Sequence, residues 1–365
     1  MKKLRKKYRF LLIFCLTVLW ANVGAQDAPF DELDGKFLYE DFAGCARCHG
    51  LDGKGAVEGL ELADEPPDFT DCSFNTREPR KDWRAVINHS GTARGLSETM
   101  PAYGEALSPE QVEAIIDYIK TFCEETGWPP GELNFRRPQI TTKAFPENEA
   151  VFTQSFEPVK DSDVEVAVSK FIYERRLGKR SQWEVALPLT AGFGSGASSG
   201  VGNIELGLKH VLAYNPAGRS IFSGGVETAL PAINSGAGNE TFGVAAFLAA
   251  AKGFDAFALQ SSVKFEAPLE SSKGEKELFW NTALTLPLTN EKKGFYPMVE
   301  FSGVHELDSD ENTLLITPQI YFAFVKSGHI ALSLGGQVPV AGHRKNDFRL
   351  VAFFLWEYVD GGLWW

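Results

Sequence analysis

The sequence predicts a multi-domain chain, in which an all-α domain is followed by an all-β, antiparallel transmembrane barrel of about twelve strands. Two observations predict this fold class. Residues before about 145 show helical patterns and contain every cysteine, whereas the remainder alternates apolar and polar residues and contains no cysteine. The expected boundaries are a signal peptide at 1–25, the helical domain at 26–127, a linker at 128–145 and the barrel at 146–365.

The composition limits the classes of partner. The 365 residues carry a formal net charge of −12, with 23% charged and 44% hydrophobic residues. Such a composition is typical of an ordered protein. An acidic chain lacks the basic surface that phosphate groups require, which argues against nucleic acid as a partner.

The first 25 residues have the pattern of a secretory signal. A basic stretch ends at Arg9, an apolar run extends from Phe10 to Trp20, and the small residues Val23-Gly24-Ala25 offer a cleavage site. A retained membrane anchor is the alternative, but the apolar run is about half of the ~20 residues that a spanning helix needs. We therefore expect export, and Cys15 leaves with the signal.

The helical domain is predicted to contain two clear helices. One extends from about Asp31 to Cys45, and its apolar positions are Leu33, Phe37, Leu38 and Phe42. The other extends from Ser108 to about Cys123, because Ser108 is a good N-cap and Gln111 completes a capping box. Its apolar face consists of Val112, Ile115, Ile116, Ile119 and Phe122.

Residues 45–49 form the motif Cys-Ala-Arg-Cys-His, which predicts one covalently attached haem c. Two thiols at this spacing reach the two vinyl groups on one edge of a porphyrin, and the next residue then lies under the ring, where its imidazole binds iron. A zinc site is the alternative, but it requires further Cys or His ligands at matching spacing. His89 is the one other histidine before residue 145.

The second axial ligand of the iron is predicted to be Met100. The chain has three methionines: Met1 lies in the signal, Met298 lies in the alternating half, and Met100 lies in a short loop before the Ser108 helix. One alternative is that Met100 is an ordinary core residue. Another is that His89 is the second ligand of the iron. Methionine–histidine ligation gives a higher reduction potential than two histidines.

Two further cysteines, Cys72 and Cys123, remain after the haem motif is assigned. Because an exported protein meets an oxidising environment, they are a candidate disulfide. The alternative is a pair of buried, unbonded thiols.

The helical half resembles a class I, mono-haem cytochrome c domain. The matching residues are C-A-R-C-H-G at 45–50, the turn Gly53-Lys54-Gly55, Met100-Pro101 and the final amphipathic helix with Tyr118. The resemblance implies that Cys45 and Cys48 form the thioether bonds, that His49 and Met100 are the axial ligands, and that the domain transfers electrons.

The second half has the period of two that is typical of strands with one apolar and one polar face. In one segment Ile204, Leu206 and Leu208 alternate with polar or small residues. About twelve such segments are centred near residues 153, 168, 186, 207, 225, 245, 262, 283, 300, 319, 334 and 352. Aromatic residues near segment ends are typical of membrane interfaces: Trp183, Trp280, Phe295, Tyr296, Trp356 and Tyr358, with Trp364-Trp365 at the terminus.

Two points about this half stay open at the level of sequence. A soluble two-sheet sandwich also alternates, and the alanine-rich stretch at 242–251 is compatible with helix. Residues 202–209 resemble a motif of transporter barrels linked to phenol-degradation pathways, which implies a fold and no substrate.

Together these features predict single-electron transfer by a haem tethered at the periplasmic side of an outer-membrane barrel in a Gram-negative bacterium. The expected partners are periplasmic redox proteins, outer-membrane lipid and a small solute passing through the barrel. The alternatives are a haem-dependent oxidase, for example of iron, fused to a porin, and a redox-gated transporter. No catalytic residue set is recognised beyond the haem motif, so an electron-transfer protein is predicted rather than an enzyme.

Overall fold

The computed structural model describes residues 34–231, 237–238, 240–287 and 292–359. The expected signal peptide and the terminal Trp364-Trp365 lie outside these residues. Within them, a small helical domain is followed by a large antiparallel sheet.

The helical domain contains five α-helical segments among the described residues. They are α1 (Gly35–Phe37, continued by a π-helical turn at Leu38–Phe42), α2 (Ala46–His49), α3 (Cys72–Arg77), α4 (Arg80–His89) and α5 (Pro109–Thr121), with short 3₁₀ turns at Gly91–Arg94 and Gly131–Leu133. Helix α5 begins with the expected capping box, in which Ser108 and Gln111 each accept from the backbone N–H of the other. Among the described helices, none has both the length and the apolar character needed to cross a membrane.

The core of this domain forms around α5. Its residues Val112, Ile115, Ile116 and Ile119 are buried together with Leu38, Tyr39, Phe69, Trp83 and Ile87. The first helix differs from the expected pattern, because Phe37 and Phe42 are exposed. Leu38, another predicted apolar position, is buried as expected. A π-helical turn has more residues per turn than an α-helix, and here Tyr39 is buried beside Leu38 in place of Phe42.

The sheet contains thirteen strands among the described residues. They are β1 (Glu149–Pro158), β2 (Glu165–Leu177), β3 (Ser181–Phe193), β4 (Gly200–Val201), β5 (Glu205–Asn215), β6 (Ser220–Ala229), β7 (Gly243–Gly253), β8 (Ala258–Pro268), β9 (Glu277–Thr285), β10 (Gly294–Glu306), β11 (Glu311–Ala323), β12 (Ile330–Gly342) and β13 (Arg349–Glu357). The two-residue β4 pairs with one end of β3 alone. The other twelve are long strands.

These twelve strands close into a barrel. Each pairs antiparallel with two neighbours; β1 pairs with β13, and the pairing of β2 with β3 completes the ring. The predicted twelve-stranded barrel is confirmed, and each predicted segment centre falls within one of the long strands. The two-sheet sandwich is wrong, since the ring closes on itself. The alanine-rich stretch forms β7 and is not helical.

The two faces of the barrel wall differ in chemistry. Polar side chains point inward and are buried, among them Glu174, Gln182, Lys209, Gln260, Glu300 and Gln319. Large apolar side chains point outward and are exposed, among them Phe171, Leu187, Leu208, Val226, Leu248, Ile320, Leu334 and Leu350. Tyr296, expected in an interfacial ring of aromatics, instead lies buried inside the barrel, because it alternates in phase with Glu300.

Aromatic side chains do gather on the outer face at one end of the barrel. This is the end at which β1 begins and β13 ends, which we call the lower end. Tyr173 stacks on Tyr358 with 5.3 Å between ring centroids, and Phe295 stacks on Phe322 with 4.4 Å. Trp183 packs beside Tyr173 and Trp356 beside Tyr358.

The helical domain also lies at the lower end. Lys292, between β9 and β10, forms ion pairs with Asp82 at 2.9 Å and Glu78 at 3.3 Å. In the loop between β11 and β12, the Lys326 ammonium donates to the Thr92 carbonyl oxygen at 2.9 Å.

Much of the expected linker lies inside the barrel. Residues 133–147, which we call the luminal loop, contact inward-facing side chains of many strands. The sequence predicted a simple connection at 128–145 and gave no indication of this placement.

Candidate haem site

The Cys45–His49 motif forms one short helix. Cys45 is the N-cap of α2 and His49 is its last residue. Gly50 then ends the helix with a φ of +77°, a conformation that favours glycine. The hydroxyl of Tyr39 donates to the Gly50 carbonyl oxygen at 2.9 Å, which fixes this end of the motif to the buried core.

The His49 imidazole is held in an apolar environment. Its ring stacks on Phe69 with 4.7 Å between centroids. Burial lowers the pKa of His49 to about 4, so the ring is neutral at physiological pH. A neutral imidazole is the form that binds a metal ion. The Nδ1 atom of His49 is buried without a hydrogen-bond partner among the described residues.

The two cysteines of the motif are free thiols, whereas the other two described cysteines are bonded to each other. Cys45 and Cys48 are half-buried. Burial, with Cys48 nearby, raises the pKa of the Cys45 thiol to about 11. Cys72 and Cys123 form a disulfide, so the alternative of two unbonded thiols is wrong.

Met100 and His89 differ in their surroundings. Met100 is half-buried and packs against the same core cluster as Cys45. The loop that carries Met100 is fixed to α4, because the backbone N–H of Tyr103 donates to the Ile87 carbonyl oxygen at 2.9 Å. His89 is exposed at the end of α4. Of the two candidate ligands, Met100 is therefore the one that contacts the core.

Met298 lies outside the helical domain, and the polar groups of Trp83 and Arg84 on α4 have protein partners. Met298 is buried inside the barrel on β10. The buried Trp83 indole N–H donates to the Glu78 carbonyl oxygen at 3.1 Å. Arg84 pairs with Glu113.

The residues present fit a haem c. The donor groups are two thiols three residues apart, a neutral imidazole with an unpartnered buried nitrogen, and a thioether. Cys45 and Met100 pack against one core of apolar and aromatic side chains, and the His49 ring stacks on Phe69 of that core. This donor set corresponds to the attachment and the histidine–methionine ligation of c-type haem.

The luminal loop and its partners form a cluster of polar side chains inside the barrel. The sequence did not predict this cluster. Glu300, Arg137, Glu149 and Glu174 are all parts of it. A usable signal was the presence of Arg136, Arg137 and Lys143 beside the apolar Phe135 and Phe145, because a solvated linker has no need of large apolar residues.

The short C-x-x-C-H helix α2 and the capped amphipathic helix α5 are features of a cytochrome c-type domain, and the closed barrel follows this domain in the chain. In agreement, residues 31–119 match the family model described as "Cytochrome C oxidase, cbb3-type, subunit III". A stretch of 98 residues is 33% identical to the cbb3-type cytochrome c oxidase subunit CcoP of Rubrivivax gelatinosus. That match covers 25% of this chain and 27% of the relative, so this chain spans about a quarter of the relative's length.

Solved structures of porins and channels are similar to the barrel. The COG4313 outer membrane channel from Pseudomonas putida F1 matches with a TM-score of 0.45 and 13% identity, over 61% of this chain and 99% of that one. The NanC porin matches with a TM-score of 0.41 and 4% identity, over 57% and 98% of the two chains.

Proposed function

We propose that this chain transfers single electrons through one haem, which Cys45 and Cys48 would hold covalently and whose iron His49 and Met100 would bind. When bound, the haem supplies a one-electron iron couple. The observation that carries the proposal is the common core: Phe69, against which the His49 ring stacks, belongs to the same buried cluster that Cys45 and Met100 pack against.

The chain's own residues would orient this group and exclude water from it. Phe69 fixes the plane of the His49 ring. The buried Asn75 side chain donates to the carbonyl oxygens of Phe69 at 2.8 Å and Ile119 at 3.0 Å, and so joins that wall to α5. Such fixed, apolar surroundings reduce reorganisation during electron transfer and raise the potential relative to a solvated site.

We further propose that the barrel spans the outer membrane and holds the haem domain in the periplasm. The apolar outer face and the aromatic belt at the lower end support this placement, since lipid contacts the outside of a membrane barrel and aromatic residues favour its interfaces. Strand β1 begins and strand β13 ends at the lower end, and in bacterial barrels this is the periplasmic end. Periplasmic redox proteins are then the expected electron donors and acceptors.

The test is visible absorption and near-infrared magnetic circular dichroism on full-length protein matured with haem. Met100→Ala is expected to lose the methionine-to-iron signal and to have a lower reduction potential. His89→Ala, the matched control, is expected to keep both. In a denaturing gel the haem should stay with the wild-type chain and leave a Cys45→Ala, Cys48→Ala variant.

A wild-type spectrum typical of iron bound by two histidines would contradict ligation by Met100 and favour His89 as the second ligand. A five-coordinate spectrum would instead favour the haem-dependent oxidase, which needs an open iron position.

A further inference from the structure

The outer face of the barrel carries an amide side chain, Gln154 of β1, among exposed apolar residues. Gln154 pairs across the sheet with Ser169 of β2 and with Ala352 of β13. Phe152 lies two residues earlier on β1 and pairs with Phe171, and each of these rings is 47% exposed. Residues two apart on a strand point to the same face, and so do partners across a sheet. The Gln154 side chain therefore points away from the lumen.

Gln154 also lies at the depth of the apolar outer surface. On β1 the outward-facing Phe152 and Phe156 lie on either side of it. On β13 the exposed Leu350 and Phe354 lie on either side of its partner residue. In a barrel that spans a membrane, this position contacts hydrocarbon, where a polar group has no water to bond.

The hydrogen bonds within the chain use only part of this amide. Its oxygen accepts from the Ser169 hydroxyl at 2.6 Å, and its nitrogen donates to the Ser155 carbonyl oxygen at 3.2 Å. A primary amide has two N–H groups, and within the described residues the second N–H of Gln154 has no acceptor. An unpaired N–H is unfavourable in an apolar medium, so an acceptor from outside the chain would stabilise this side chain.

The opposite side of the wall carries a polar pair of a different kind. Ser261 of β8 and Thr282 of β9 are partners across the sheet, and their hydroxyl groups bond to each other at 3.0 Å. Both point outward, because the adjacent Ser262 is buried inside the barrel. Strand β8 lies six strands round the ring from β1. This pair is a matched control, since it is polar and outward-facing but has no amide.

The surface beside Gln154 is formed by small side chains. Its two partners, Ser169 and Ala352, are small, and in the next row of the sheet Ala167 of β2 pairs with Ala191 of β3. Small residues allow two membrane-spanning elements to approach closely. A second protein surface can therefore reach the amide without displacing large side chains.

We propose that two copies of this chain associate in the membrane through the outer face of β13, β1 and β2, where each Gln154 amide donates to the amide oxygen of the other copy. Copies in one membrane share orientation and depth, so a two-fold axis along the membrane normal brings the same residue of both to one point. The amide N–H carries partial positive charge and the oxygen partial negative charge, so the two side chains are complementary in charge across this axis. Lipid chains offer no such partner.

The first experiment counts the copies in each particle. Full-length, haem-loaded protein carries one dye at Ala246→Cys, an exposed position on β7, six strands round the ring from β13. It is placed in liposomes at low density, and its photobleaching steps are counted. With Gln154 present, two steps are expected. With Gln154→Leu added, mainly one step is expected, because the loss of two hydrogen bonds within a membrane weakens association about tenfold.

Two features keep this comparison clear. Leucine suits an outward-facing position in a membrane barrel, so Gln154→Leu is expected to fold. The control Thr282→Val removes an outward-facing hydroxyl from the opposite side and is expected to keep two steps. A single step with Gln154 present, two steps with Gln154→Leu, or loss of pairing in Thr282→Val would each overturn the proposal.

The second experiment locates the interface by cross-linking between copies. Ala352→Cys, beside Gln154, is expected to cross-link with a short bifunctional maleimide, and the product should disappear when Gln154→Leu is added. Ala246→Cys is the control, because Ala246 and Ala352 are each the fourth residue of a strand that begins at the upper end. Equal cross-linking at the two positions, or none at Ala352→Cys, would also overturn the proposal.

The interface rests on the proposed membrane placement, and the two fail differently. Protein that does not float with liposomes would contradict the placement and the interface together. Protein that floats with liposomes but bleaches in one step would contradict the interface and leave the placement intact.

Discussion

Gly55 illustrates how single residues shape the haem site. It lies in the turn after the motif, with a φ of +74°, and its N–H donates to the His49 carbonyl oxygen at 2.9 Å. A Cβ at this position would lie 2.2 Å from the Pro66 carbonyl oxygen. Backbone geometry and close packing therefore both require glycine here.

Gly55→Ala is expected to lower the free energy of unfolding of the haem domain by about 1–3 kcal/mol, because the side chain strains the backbone and displaces Pro66. Thermal unfolding followed at the haem absorption band measures this. Gly59→Ala is the matched control, since Gly59 has a φ of +78° but no atom within 4 Å of its would-be Cβ. If both variants lowered the stability equally, the contact with Pro66 would have no role.

Local sequence was sufficient for some candidate site residues and insufficient for others. Cys45, Cys48 and His49 are predictable because haem attachment requires adjacent residues at fixed spacing. The sequence points to Met100 because methionine is scarce in this chain. The difference between Met100 and His89 lies in burial, which depends on how the loop after α4 folds back, and no local pattern specifies that.

At the scale of elements, the disulfide joins the start of α3 to the chain just after α5. Cys72 begins α3 and Cys123 lies just after α5, at a sequence separation of 51. Replacement of both by alanine is expected to lower the free energy of unfolding of the haem domain by about 2–4 kcal/mol, mainly because the unfolded chain gains freedom. Denaturant titration followed at the haem band measures the change.

A thiol reductant provides the control for that experiment. It should lower the stability of the wild type towards that of the Cys72→Ala, Cys123→Ala variant and leave the variant unchanged. Equal stability of oxidised wild type and variant would mean that the bond contributes nothing to the folded domain.

The strands were predictable and the luminal loop was not, for a physical reason. A strand between lipid and a polar interior must alternate apolar and polar residues. Each of the twelve strands therefore shows the period of two in its own sequence. The loop obtains its stability from partners such as Glu300 and Lys209, which lie far along the chain and meet it only after the ring has closed. Its Pro- and Arg-containing sequence taken alone is typical of a connection.

At the scale of the whole molecule, the two halves bury opposite kinds of side chain. The haem domain buries apolar residues such as Ile115, whereas the barrel buries polar residues such as Glu300 and exposes apolar ones such as Leu248. The second arrangement is stable only where lipid covers the outer face, because an apolar surface of this extent in water would drive association.

The placement in a membrane gives the barrel a test that uses its outer face directly. Leu248 lies at the middle of β7 with 50% of its surface exposed, and Leu269 lies in the loop after β8 with 65% exposed. Leu248→Arg is expected to destabilise the protein folded in liposomes by about 2–4 kcal/mol, since a charge would enter the hydrocarbon region. Leu269→Arg, which remains in water, should have little effect.

Urea titration of folding into liposomes, followed by tryptophan fluorescence, measures the stability of both variants. Equal stabilities would mean that the outer face contacts water, because an exposed leucine in a soluble protein can be replaced by arginine at almost no cost.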